Sequence, residues 1–173
     1  VFIVASGKSA KDFPLQAFSH VPMITMNGAI SLFSGTDIKP YFYICTDMSF
    51  PSQQPEFFEH AMRISQRVAL WAEFARRTNA RPKGQLYTLK RAPKQTWLDY
   101  FFRSNKSLVQ SQSLLGHRAK SIGFSKDLSQ GFYDARTVAY LALQLAYHLG
   151  FDKVILVGVD LDQSSGRFYE KPG

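Results

Sequence analysis

The sequence predicts an α/β fold, a mostly parallel sheet with helices on both faces. Three observations predict it. Short apolar runs alternate with helical patterns; several of those runs are apolar at nearly every position; and the residues that follow them are small hydroxyls, amides, carboxylates and glycines. Continuously apolar strands suit a parallel sheet covered on both sides by helices. In such sheets the ligand lies beyond the carboxyl ends of the strands. With 173 residues, 45% of them hydrophobic and 20% charged, the chain reads as one domain, residues 1–173, large enough to bury a core.

Taken in order, the strands are Val1–Ala5, Pro22–Met26, Tyr41–Cys45, Arg67–Trp71, Gln85–Leu89 and Lys153–Val157, mostly rich in β-branched or aromatic residues and bounded by Gly, Pro, Ser, Asn or Asp. Between them, helical periodicity is weak at Lys11–Phe18 and Gly28–Phe33 and better at Pro55–Gln66 and Gln95–Arg103. It is strongest over Asp134–Leu149, where Asp134 is the expected N-cap and Gly150 the stop. That helix is apolar almost all round, from Val138 and Ala139 to Leu145, Ala146 and Leu149, so it is expected to be central and buried. The stretch from Arg91 to Leu128 reads as an insertion or lid in the middle of the chain. Lys106–His117, rich in Ser and Gln, is its expected mobile part. Together these features make the sheet Rossmann-like.

No apolar run reaches the ~18 residues a membrane-spanning helix needs; the longest, around Val138–Leu149, contains Gln144 and His148. The single cysteine, Cys45, forms no internal disulfide, and no secretory signal pattern is present. A reducing, cytoplasmic compartment is the expectation. Neither end looks like a natural terminus, and the sequence reads as a fragment truncated at its C-terminus. Charge is uneven: the chain is +8 overall, yet residues 76–120 hold eleven Lys/Arg against one acid, Asp99. That asymmetry points to an anionic partner or else to a solvated basic face. Trp97, Tyr100 and Phe101 lie in the basic stretch as stacking platforms would; their helical spacing favours the core and argues against nucleic acid.

The strand ends carry the candidate site. Ser6-Gly7-Lys8-Ser9 follow the first strand, Asn27-Gly28 the second, Thr46-Asp47 the third, and Asp160 the last. These residue types supply the donors, acceptors and close approach that a nucleotide's base, ribose and phosphate require. Strand ends also carry such residues simply because chains turn there. Gly7-Lys8-Ser9 resembles the end of a P-loop but fails on spacing, since Phe2 stands where the first glycine belongs. Asp160-Leu161-Asp162 has the D-x-D form that holds a divalent cation on a nucleoside diphosphate. Its structural alternative is one Asp capping the next turn and the other solvated. The four histidines, 20, 60, 117 and 148, show no metal-ligand spacing.

The order strand-Ser6-Gly7-Lys8-Ser9, Met26-Asn27-Gly28, Thr46-Asp47, then Gly123-Phe124-Ser125-Lys126-Asp127 through Thr137, Gly158, Asp160 and Arg167-Phe168-Tyr169 resembles the lipopolysaccharide core Kdo transferases. The likeness is closest, in the C-terminal third, to those adding the third Kdo, a keto-octulosonic sugar acid. More remotely, the order of motifs resembles the bacterial CMP-sialic-acid-dependent sialyltransferases. The resemblance implies a GT-A-like glycosyltransferase domain that moves Kdo or a related acidic sugar from its CMP-activated donor to a lipopolysaccharide inner-core acceptor. It implies donor contacts from Ser6, Gly7, Ser9, Asn27, Gly28, Thr46, Asp47, Lys126 and Thr137, and catalytic roles for Asp160, Arg167 and Tyr169. The general-base His would lie beyond residue 173. Thr46-Asp47 and Thr137-Val138-Ala139 depart from the sialyltransferase pattern, and Asp162 stands where a phosphate-binding tyrosine would be. A CMP-sugar has one phosphate as leaving group, so no cofactor is required. A divalent metal on Asp160 and Asp162 belongs to the alternative, a nucleoside-diphosphate-sugar transferase; a second alternative is a nucleic-acid-binding module. Arg76, Arg77, Arg81 and Lys83 are assigned to the anionic acceptor and the membrane surface, with the protein peripheral to the inner membrane.

Overall fold

The computed structural model describes residues 1–93, 107–110, 123–134, 137–160 and 167–169. They fall into two compact units, one of residues 1–88 with 153–173 and the other of residues 89–152.

The first unit is built on a six-stranded sheet of β1 (Phe2–Val4), β2 (Met23–Met26), β3 (Phe42–Cys45), β4 (Arg67–Trp71), β5 (Gln85–Leu89) and, late in the chain, β8 (Ile155–Val157), in the order β5-β4-β3-β2-β1-β8. The registered pairs are parallel: Ile3 lies opposite Ile24 and Leu156, Ile24 opposite Phe42, and Ile44 opposite Ala69. This is the Rossmann-like α/β arrangement that the apolar strands predict. On one face Phe2, Val4, Met23, Tyr43, Val68 and Leu70 pack with Phe33, Phe50, Phe58, Met62 and Phe74 from the connecting segments. Ile3, Ile24 and Ile44, which alternate to the opposite face, are fully buried as well.

The connections are tighter than the periodicity predicts. Lys11–Phe18 is two 3₁₀ turns, Lys8–Asp12 and Leu15–Phe18, separated at Phe13-Pro14, because proline offers no backbone N–H to continue a helix. Asn27–Phe33 is also 3₁₀; Ser31 Oγ donates to the Gly28 carbonyl at 2.8 Å, a side-chain competitor for the backbone ladder. Three α-helices follow: α1 (Phe50–Gln53), α2 (Pro55–Ile64) and α3 (Ala72–Arg77). α2 was expected; α1 and α3 are too short for a periodic signal.

The second unit holds the antiparallel pair β6 (Leu108–Gln110) and β7 (Gly123–Ser125) and the helix α4 (Val138–His148). Of the Lys106–His117 segment, Leu108–Gln110 is a strand; 106 and 111–117 lie outside the described residues, as does the helix expected at 95–103. Thr137, not Asp134, caps α4, its hydroxyl accepting from Ala139 N–H at 3.3 Å, while Asp134 pairs with Arg91 at 3.1 Å. Nor is the helix buried all round: Tyr147 is 52% exposed and His148 is exposed. Buried Gln144 is the polar centre of this unit. Its Oε1 accepts from Ser125 N–H at 2.9 Å and Tyr133 N–H at 3.0 Å, and its Nε2 donates to the Tyr133 and Tyr140 carbonyls at 2.9 and 3.3 Å.

Candidate functional site

Five parallel strands ending at one edge convert residues far apart in sequence into neighbours. Beyond β1 the chain runs through Ser6 and Gly7, whose N–H donates to the Gly158 carbonyl at 2.8 Å. Gly158 takes a φ of +68°, which only glycine adopts without cost, and it turns the chain after β8 into Asp160. The Asp160 carboxylate accepts from the Ser9 hydroxyl and, at 3.1 Å, from the Ser9 N–H. It thereby closes the open N-terminus of the Lys8–Asp12 turn from across the sheet. A Cβ on Gly7 would stand 2.5 Å from Asp160 Oδ2 and 2.6 Å from the Gly158 carbonyl, so a glycine is needed for this approach.

Residues 167–169 return across the same edge. Gly7 and Arg167 form an antiparallel bridge and Phe168 N–H donates to the Ser6 carbonyl at 3.2 Å. This places Tyr169 directly over Gly28 at the end of β2: a Cβ there would lie 2.1 to 2.4 Å from three atoms of the Tyr169 ring. The ring meets Phe50 and Phe57 edge-on at 6.2 and 6.3 Å, and its hydroxyl accepts from Arg167 Nη1 at 2.9 Å. Asn27, immediately before Gly28, has a φ of +42°, a conformation Asn tolerates better than other side chains. Its Oδ1 is buried and has no hydrogen-bond partner, which is rare for a buried side-chain oxygen.

Ser6, Gly7, Ser9, Asn27, Gly28, Asp160, Arg167 and Tyr169 are thus brought to adjoining strand ends of one unit. Thr46 and Asp47 follow β3 at the same edge, with duties of their own. The Thr46 carbonyl accepts from Trp71 Nε1 at 2.9 Å, and Asp47 Oδ1 accepts from the N–H and hydroxyl of Ser49 at 2.9 and 2.7 Å, an Asx turn leading into α1. Beneath them lies a residue that sequence reasoning missed, Tyr43. Its hydroxyl is fully buried beside the Cys45 thiol, and burial first, then Cys45, Tyr169 and Asp47, push its pKa well above the usual tyrosine value. The only sequence signal was a tyrosine in an otherwise apolar strand. Burial likewise lifts the Cys45 thiol to about 12.

Thr137 and Lys126 belong to the second unit, where Thr137 caps α4 and Lys126 is exposed, its N–H donating to the Ser107 carbonyl at 2.8 Å. Asp162 lies outside the described residues. Among the described residues no group of three or more His, Cys, Asp or Glu could hold a metal ion. Arg76 and Arg77 occupy the last turn of α3, the end remote from the carboxyl edge at which the helix begins. Arg77 pairs with Glu73 at 2.7 Å, and Arg81 Nη1 donates to the Ala75 carbonyl at 3.0 Å. Lys83 N–H donates to the Met62 carbonyl at 2.9 Å, beside the entry to β4. Because β4 rises about 13 Å from Arg67 to Trp71, Lys83 does not share an edge with Asp160. Arg76, Arg77 and Lys83 are thus placed away from the carboxyl edge that gathers Asp160 and Tyr169.

Among the described residues, no helix is long and apolar enough to cross a membrane. No solved structure matches the chain. Two curated relatives, each named a probable 3-deoxy-manno-octulosonic acid transferase, are similar over almost its whole length. The one from Salmonella typhimurium is 27% identical over 181 residues, covering 98% of this chain and 67% of the relative. The one from Escherichia coli K12 is 26% identical over 188 residues, covering 99% and 64%. The chain thus spans about two thirds of the length of these relatives. Residues 1–173 also match, from end to end, the family described as 3-deoxy-D-manno-octulosonic acid transferase WaaZ. That match over the full chain assigns it to the WaaZ family of Kdo transferases.

Proposed function

We propose that this chain is the donor-binding core of a glycosyltransferase that moves Kdo from CMP-Kdo to a lipopolysaccharide inner-core acceptor. The observation that carries the reading is the return of residues 167–169 over Gly7 and Gly28, which sets an arginine and a tyrosine hydroxyl at the carboxyl edge. In the transfer an acceptor hydroxyl attacks the anomeric carbon of the donor sugar. The bond from that carbon to the phosphate oxygen breaks, CMP departs with the electron pair, and a base takes the acceptor's proton. The charge that grows is on one phosphate. Arg167 offers it a charge-assisted donor, and Tyr169 is held in reach by Arg167 and by the edges of Phe50 and Phe57. The unpartnered Asn27 Oδ1 suits an exocyclic amine of the base.

Asp160 is engaged by Ser9, so a metal on its carboxylate would share both oxygens with the cap of the Lys8–Asp12 turn. This favours a metal-free donor site over the D-x-D alternative. Calorimetric titration of CMP-Kdo, CMP and a nucleoside diphosphate sugar, with and without chelator, tests the reading. Binding of the CMP compounds in chelator, weakened at least tenfold by Arg167→Ala, is the expected result. Binding of only the diphosphate sugar, and only with metal, would refute it.

A further inference from the structure

The cations near the start of β4 form a surface that the donor site does not use. Gln66 N–H donates to the Pro40 carbonyl at 3.0 Å and its side chain to the Lys39 carbonyl at 3.3 Å, and Gln85 N–H donates to the Gln66 carbonyl at 3.0 Å. These bonds tie the entries to β3, β4 and β5 together at the amino edge of the sheet. Lys39 precedes β3, Arg63 sits in the last turn of α2, Arg67 opens β4 with its guanidinium 4.3 Å over the Tyr41 ring, and Arg81 and Lys83 precede β5. Arg76 and Arg77 at the far end of α3 bring the cations to seven; Asp37, Glu56, Glu59 and Glu73 are the acids in the same segments, and Glu73 is taken by Arg77.

An apolar component accompanies the charge. On the edge strand β5, Leu86 is 39% and Tyr87 45% exposed. The Tyr87 ring is held 5.4 Å from Phe42 and its hydroxyl donates to Gln85. Leu86, which leaves β5 on the other face from Tyr87, adds an exposed apolar side chain to this cationic edge, a combination that matches the boundary between lipid headgroups and acyl chains.

We infer that the amino edge of the sheet, with Lys39, Arg63, Arg67, Arg81 and Lys83 and the exposed Leu86, docks on an anionic phospholipid bilayer, leaving the carboxyl edge with Asp160 and Tyr169 turned away from it. The inference shares with the proposed function only a membrane-anchored acceptor. Vesicle binding is measured without donor, so either can fail while the other stands.

The test is co-sedimentation with phosphatidylcholine vesicles with and without phosphatidylglycerol. Lys39→Gln, Arg63→Gln and Lys83→Gln combined are expected to lower the partition coefficient about a hundredfold, about fivefold per cation, and high salt should do the same to the parent. Removing the same sign of charge from the other edge, Lys8→Gln with Lys11→Gln, should change it less than about twofold. A circular-dichroism melt of each variant establishes that the sheet is intact. Leu86→Ser, which changes no charge, should also weaken binding. Equal losses from both edges, an unaltered triple variant, or loss of single-stranded oligonucleotide binding without loss of vesicle binding would each overturn the inference.

Discussion

Replacing Gly28 with alanine adds a methyl group where the Tyr169 ring already stands. The new Cβ would be 2.1 Å from the nearest ring carbon, whereas ordinary carbon contacts begin near 3.5 Å, so the ring must retreat by more than about 1 Å. The backbone at Gly28 carries no positive φ, so the cost is one of space and not of conformation. A retreating ring gives up its edge contacts with Phe50 and Phe57, about 0.5–1.5 kcal/mol each, and its bond to Arg167. Overpacking of this kind costs about 1–3 kcal/mol. The diagnostic is a double-mutant cycle with Tyr169→Ala, read by urea denaturation. In the Tyr169→Ala background the methyl has room, and Gly28→Ala should become neutral or slightly stabilising, because alanine exceeds glycine in helical segments. The coupling should be at least about 1 kcal/mol. If Gly28→Ala costs the same with and without the tyrosine ring, residues 167–169 do not lie over the end of β2 and the site as built here is wrong.

Gln144→Leu should destabilise the second unit by about 3 kcal/mol or more, because it strands the Ser125 and Tyr133 amides in a buried place; loss of hydrogen-exchange protection at those two amides checks it. Asp127 is held at about 2, chiefly by Gln130 and Ser129. A depressed folded value means that its stabilisation is complete above the unfolded carboxylate range near 4 and fades as pH falls toward about 2; the protection factor of Ser129 N–H, which is its exchange rate corrected for the intrinsic pH dependence, should fall across that interval and stay flat from pH 5 to 7. The Cys45 thiol, buried and raised to about 12, should resist alkylation at pH 8 in the native protein and react within minutes in denaturant.

The sheet was legible because its strands announce themselves twice, as apolar runs and as runs ended by Gly, Asn or Asp; all six expected strands are present, each within two residues of its expected ends. The carboxyl edge followed from parallelism alone, since every loop after a strand emerges there. Short elements were not legible. α1 and α3 span 4 and 6 residues, too few for a helical period to repeat, and β6 and β7 have 3 each. The boundary at Asp134 was misread for a physical reason: an acid before an apolar helix looks like a cap, but an arginine 43 residues earlier in the chain competes for it, and no local pattern reports such a partner.

The same difficulty governs Asp160. Read along the chain, Asp160-Leu161-Asp162 is a pair of carboxylates, and a pair suggests a shared cation. Read across the sheet, Asp160 faces Ser9, and its two oxygens accept from a hydroxyl and a backbone N–H at the start of a 3₁₀ turn. If that cap is its work, Asp160→Asn keeps a single acceptor oxygen and should lower stability by about 0.5–2 kcal/mol, with Ser9→Ala non-additive to it, while CMP affinity in chelator falls only as far as the turn loosens. A metal role predicts the opposite pattern, in which stability barely changes without metal and donor binding vanishes with either chelator or Asp160→Asn. Melting curves of the two variants, recorded with chelator and with a divalent ion, separate the cases in one experiment.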